Sequence, residues 1–215
     1  MIPQANSEWP PKEHSGWLRR IAEWQVWYSA DGTQLLDFYR GQRGTDAQIA
    51  PFWARAEKDK LRPVHCPIVP DIASISAALL FSESPRITFE KEKSKAESRL
   101  TDILEENSFE ALLLEAAEIS GGVGGVFLKI DADQDTAKVP IISAVPAGQA
   151  VGLFSRGRLR NVTFWSVAKK TDSKVWTLFE SRRRESDKAV IEYALFQGTE
   201  GKLGNQVPLD AIEET

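Results

Sequence analysis

Reactive side chains are scarce in this sequence, which holds one cysteine, two histidines and one methionine in 215 residues. The single cysteine, Cys66, excludes an internal disulfide framework and suits a reducing compartment. A Cys/His nucleophile pair has only His65 or His14 to draw on. Neighbours in an extended segment point to opposite faces, so His65 does not reach the Cys66 thiol, and His14 lies in an N-terminal arm. Two histidines and one cysteine also lack the ligand spacing of a zinc site. No apolar run is long enough to span a bilayer, and Met1-Ile-Pro-Gln-Ala-Asn6 lacks the basic and apolar regions of a signal peptide. An excess of positive charge is missing as well. The net charge of −4 excludes a general nucleic-acid coat held by phosphate neutralisation and leaves only local basic patches.

What is present is a globular composition, 42% hydrophobic and 27% charged, with enough length for a real core. Seven tryptophans are more than that core requires, and four of them fall in the first 27 residues. The pattern changes character between Asn107 and Asp131. Before this stretch the apolar residues recur at helical spacing; after it they alternate or run in β-branched blocks. Asn107 or Ser108 caps a helix here, with Glu110 as capping-box partner, and Gly121-Gly122 are expected to end it. The order helix, glycines, strand is the reverse of a phosphate cradle, in which the helix N-terminus faces the anion. No cofactor is expected.

These patterns predict an α+β fold, a helical N-terminal half packed on a largely antiparallel β-sheet. Residues 1–14, with Pro3, Pro10 and Pro11, read as an arm in which Trp9 either anchors to the core or reaches a neighbouring subunit. Residues 15–122 read as the helical part. Ser15 opens a helix to Tyr28, Leu35 to Tyr39 forms a short segment, Arg40 to Asp46 a loop, and Ala47 to Leu61 a second helix. Pro63, Pro67 and Pro70 hold His65-Cys66 extended, and Asp71 caps the most apolar helix, Ile72 to Phe81. A short strand follows at Arg86 to Phe89, and Ser94 with Glu97 opens a helix to Glu106. Residues 123–197 read as an antiparallel meander with short polar connections, and 198–215 as an irregular segment.

Asp131, Asp133 and Asp135 copy the first ligands of a calcium loop, but Thr136 stands where its glycine belongs and Ile142 where its glutamate belongs. A hairpin turn is the expected role, and no metal site follows. Strand alternation puts Arg156, Arg158 and Arg160 on one face, and Arg182 with Arg184 on one face of their own strand. These five arginines are the candidates for contact with nucleic acid or with another subunit, and a solvated sheet face is the plainer account of them. No catalytic constellation stands out, so the residues favour a structural or interaction protein over an enzyme.

Four stretches together resemble the portal proteins of tailed bacteriophages, in the branch common among phages of actinobacteria. They are Trp24-Gln-Val-Trp-Tyr28 with the Asp-Gly turn after it, His65-Cys-Pro-Ile-Val-Pro-Asp-Ile-Ala-Ser-Ile-Ser-Ala-Ala-Leu-Leu-Phe-Ser-Glu-Ser-Pro85, Leu114-Glu-Ala-Ala-Glu-Ile-Ser with Gly124-Gly-Val-Phe-Leu-Lys129, and Gly157-Arg-Leu-Arg-Asn-Val-Thr-Phe-Trp165. The resemblance implies a non-enzymatic subunit of the ring at a capsid vertex through which DNA is packaged and ejected. Its implied partners are other portal subunits, usually in a dodecamer, the packaging terminase, and capsid and head–tail adaptor proteins. Double-stranded DNA would pass through the ring with weak or no contact to this chain, and no membrane is involved. The implied location is the virion, with host cytoplasm before assembly. Portal subunits are generally longer, with stem helices, clip and channel loop after the region matched here. The chain is thus expected to be the N-terminal, mostly wing portion of a truncated or split portal. A stand-alone nucleic-acid-binding α+β domain using the arginine-bearing strands is the second expectation, and a small hydrolase a distant third.

Overall fold

A computed structural model describes residues 2–41, 66–83, 85–87, 94–133, 135–185, 188–199 and 201–212. Among them the chain is mixed α+β, with five α-helices in its N-terminal part, a two-stranded sheet and a five-stranded sheet, all strand pairs antiparallel. It divides into two compact units, Arg20–Pro146 and Met1–Arg19 with Ala147–Thr215.

Helix α1 spans Lys12–Tyr28, starting three residues before the expected cap. Pro11 explains the difference, because its carbonyl already accepts from the His14 amide at 2.9 Å and a proline has no N–H to leave unpaired. Gly32–Gly41 forms α2, whose first turn is capped by Asp31: Oδ1 accepts from the Thr33 amide at 2.8 Å. These bonds, led by the one from Thr33, hold the Asp31 carboxyl below its usual range. The helix is longer than the expected segment Leu35–Tyr39, because the Asp31 cap opens it at Gly32; Leu35 is buried. The predicted helix Ala47–Leu61 lies outside the described residues.

In the unit Arg20–Pro146, α3 (Ile68–Leu80), α4 (Lys95–Glu106) and α5 (Phe109–Val123) lead into β1 (Val126–Asp131) and β2 (Ile141–Pro146). Helix α3 begins before Asp71, with Pro70 tolerated in the first turn, where no amide bond is lost. Helix α4 opens as its capping box predicts, the Glu97 amide donating to Ser94 Oγ at 3.2 Å. At the α4–α5 junction Ser108, one of the two residues expected to cap α5, takes the cap position. Asn107 closes α4 instead of opening α5, and Ser108 sits in the left-handed region with no side-chain cap bond. The Asn107 side chain is engaged elsewhere: Nδ2 donates to Ile103 O and Pro140 O, each at 2.8 Å, and Oδ1 accepts from Ile142 N at 2.7 Å. It ties the helix junction to the outer edge of β2.

Helix α5 also runs through Gly121 and Gly122 and closes at Gly124, whose φ of 84° is the left-handed residue. The two earlier glycines serve packing instead. A Cβ on Gly121 would lie 3.7 Å from that of Ala73 on α3, and one on Gly122 would overlap the Tyr28 ring. Tyr28 OH donates to Glu118 Oε1 at 2.9 Å on the same helix. Ala73, Ala77, Ala116, Val123, Ile21 and Leu35 are buried in this unit.

The second unit is the sheet β3 (Ala150–Ser155), β4 (Arg158–Lys170), β5 (Val175–Glu185), β6 (Lys188–Thr199) and β7 (Lys202–Val207), paired in that order. The last strand and a 3-10 turn, Leu209–Ile212, occupy the segment expected to be irregular. An edge strand with only Leu203 and Val207 as apolar residues carries no readable period. The core is Phe179, Ala194, Phe196 and Leu203, with Phe179 and Phe196 edge-to-face at 5.5 Å. Burying each phenyl ring is worth about 1.5–3 kcal/mol. The N-terminal arm completes this unit. Asn6 N donates to Gly204 O, and Leu203 N to Ser7 O, both at 3.0 Å, so the arm covers the outer edge of β7. Trp9 fixes it by packing edge-on to Phe179 at 4.9 Å and Trp165 at 5.5 Å.

Candidate functional site

Helix α3 carries two faces of different size. Ala73 and Ala77 are buried, and their small side chains let the helix backbone approach closely. Ile68, Ile72, Ile75 and Leu79 remain 55%, 59%, 61% and 73% exposed. Their 4-3-4 spacing places them within about 60° of one another around the helix, as a continuous apolar stripe. Scattered exposed leucines are ordinary, but four large aliphatic side chains in one line mark an interaction surface. Asp71 is the one charged residue in the helix.

The five candidate arginines separate into two sets. Arg156 occupies the β3–β4 turn with φ of 52°, followed by Gly157 at 74°. Arg158 and Arg160 lie in β4 and are exposed. Arg160 falls at a bulge, where the partners step from Leu153↔Asn161 to Phe154↔Leu159 and leave it unmatched on β3. The β4–β5 ladder ends at Asn161↔Arg183, so Arg182, paired with Val162 on one side and Ile191 on the other, lies within the sheet, and Arg184 belongs to the β5–β6 hairpin beyond it. Arg182 is held by Glu180 two residues before it. On the opposite face, Arg183 pairs with Glu192 at 2.5 Å and Glu185 at 2.7 Å. That bond to Glu192, then the one to Glu185, pushes the guanidinium pKa further up, and Arg183 holds the Glu192 carboxyl below its usual range. The carboxylates of β5 and β6 are thus turned to Arg182 and Arg183.

The remaining candidates do not converge. Cys66 is exposed just ahead of α3, His14 is on α1, and His65 lies outside the described residues. Asp131 pairs with Lys129 at 3.1 Å. Asp133 accepts from Thr136 Oγ1 at 2.5 Å and from the Asp135 amide at 3.0 Å, and these bonds lower its pKa. Among the described residues no group of three or more His, Cys, Asp or Glu could hold a metal ion. No helix among them is long and apolar enough to cross a membrane.

Trp9, read as either anchor or subunit contact, is packed within its own chain, and its buried Nε1 has no acceptor among the described residues. Two surfaces had weaker sequence signals. A groove of about 350 Å³ runs between the ends of α4 and α5, lined by Leu104, Glu105, Phe109, Glu110, Ala111 and Pro85 among others. The α3 stripe was visible as apolar content, but composition does not say which face is covered. No family model and no curated protein matches the chain.

Proposed function

We propose that this chain is an assembly subunit, the wing-like N-terminal portion of a portal-type ring at a phage capsid vertex, acting in DNA packaging and head–tail joining without catalysis of its own. The observation that supports it is the α3 stripe. The helix at the heart of the sequence resemblance presents Ile68, Ile72, Ile75 and Leu79 outward, where a free-standing subunit gains nothing from them. Covering a half-exposed aliphatic side chain recovers about 1 kcal/mol, so the stripe offers about 4 kcal/mol to a partner. A ring supplies such partners on both sides of every subunit. On this reading the neighbours are further portal subunits, terminase, capsid and adaptor proteins, and the mature location is the virion.

Mass in solution tests the proposal. Light scattering over a concentration series should give a species of several subunits, and I72D/I75D should dissociate it while leaving the far-UV circular dichroism unchanged. A wild-type monomer at every concentration that also binds duplex DNA, with affinity falling steeply in salt, would replace this reading by that of a nucleic-acid-binding domain.

A further inference from the structure

The β3–β4 hairpin ends in a projecting finger. All eight residues from Leu153 to Arg160 are exposed. The finger is two-stranded, because the ladder to β5 stops at Asn161. It carries three arginines, Arg156, Arg158 and Arg160, beside three apolar side chains, Leu153, Phe154 and Leu159. Phe154 is opposite Leu159 in the ladder, so both lie on one side of the ribbon, and both are largely in solvent. The tip is strained as well. Arg156 holds a left-handed φ of 52°, a conformation that glycine or asparagine adopts at less cost. Strain kept at an exposed tip calls for a role of the side chain outside its own fold.

The charge around the finger is segregated. Five cations and no carboxylate lie between Ala147 and Lys170, so in a chain of net −4 the remaining residues carry −9. The α4–α5 groove has the opposite character. Its apolar lining of Pro85, Leu104, Phe109 and Ala111 is edged by Glu105 and Glu110. Asp102 and Glu106, with Glu105, line an adjoining recess. No ion pair joins Glu105 or Glu110 to a described cation.

We propose that the finger of one copy docks in the α4–α5 groove of the next copy. Phe154 and Leu159 enter the apolar groove, and Arg156, Arg158 and Arg160 meet Glu105, Glu110, Asp102 and Glu106. The two surfaces are different, one in each compact unit, so the contact is head-to-tail and repeats from copy to copy, as a closed ring requires. Arginine and aromatic side chains are the residue types that carry most binding energy at protein interfaces. This inference rests on the assembly reading and assigns one of its contacts.

Sedimentation velocity of the full chain tests it with charge reversals. R156E/R158E/R160E and E105K/E110K should each weaken self-association by about 100-fold, and the chain carrying all five substitutions should regain it, since like charges facing across an interface cost several kcal/mol and the swap restores opposite signs. Arg156→Gly should weaken association without lowering the melting temperature, because it removes a side chain from a strained position. Wild-type association should also fall with salt. A wild-type oligomer that survives both sets of reversals overturns the finger–groove contact and leaves the assembly reading standing. A wild-type monomer overturns both. Reversals that abolish duplex DNA binding but not the oligomer show that the finger serves nucleic acid, and the contact proposed here falls.

Discussion

Replacing Asn107 tests how the helical layer is attached to its two-stranded sheet. The side chain makes three hydrogen bonds of 2.7 to 2.8 Å, two of them to backbone groups at the start of β2. Each such bond contributes about 0.5–1.5 kcal/mol net, and leaving a partner unpaired adds to the loss. The site is only partly buried, so water replaces some of what is removed. Asn107→Ala should therefore destabilise by about 2–3 kcal/mol. At this chain length that lowers the melting temperature by about 4–12 °C. Asn107→Asp is the sharper variant. A carboxylate still accepts from Ile142 N, but it sets a negative charge against the carbonyls of Ile103 and Pro140. It should be worse than alanine at neutral pH and recover on acidification. The sign follows from linkage: those carbonyls raise the folded-state pKa of the new carboxyl, so its share of stability is present at low pH and lost as pH rises through that raised value. Urea unfolding followed by circular dichroism, at pH 4 and pH 7, measures both effects. An Asn107→Ala protein within about 0.5 kcal/mol of wild type, the range of an ordinary surface change, would refute the reasoning.

Gly124→Ala should cost about 2–4 kcal/mol, from the left-handed φ and overlap with the Trp24 ring, whereas Gly121→Ala should be neutral to slightly stabilising; comparable urea midpoints for the two would contradict this. Trp9→Ala should loosen the arm, destabilise by about 2–3 kcal/mol and speed hydrogen exchange at the Leu203 amide, which Ser7 O protects. Unchanged exchange there would show that the arm is held without the indole. Burial, then the bond to Glu118, pushes the Tyr28 phenol from 10.0 to about 12. Stability should hold up to pH 10 and fall as pH rises through 12, and Tyr28→Phe should remove that slope in alkaline denaturation curves.

The fold class and the meander were legible because strands of 11 to 13 residues leave a clear pattern between short polar turns. The capping box at Ser94 was equally plain, since its residues act on the backbone next to them. The choice between Asn107 and Ser108 as the cap of α5 was open for the opposite reason: the Asn107 side chain answers to Pro140 and Ile142, which are distant in sequence. Gly121 and Gly122 carry the composition of a helix end but answer to Ala73 and Tyr28, which local pattern does not reveal. The arginines were found by alternation, yet the turn at Arg156 and the bulge at Arg160 break the single face expected of the first three. The groove edged by Glu105 and Glu110 left no motif, because it is made where two helices meet.

The arm that seals β7 joins residues nearly two hundred positions apart, as the bond between Asn6 and Asn205 shows. During synthesis, residues 2–9 emerge long before Lys202–Val207 and wait until that strand leaves the ribosome. By then residues 20–146 have had time to fold. Closure of the distant pair comes last, and until it does the core formed by Phe179 and Phe196 lacks its indole cover, inviting a neighbouring nascent chain to supply its own arm.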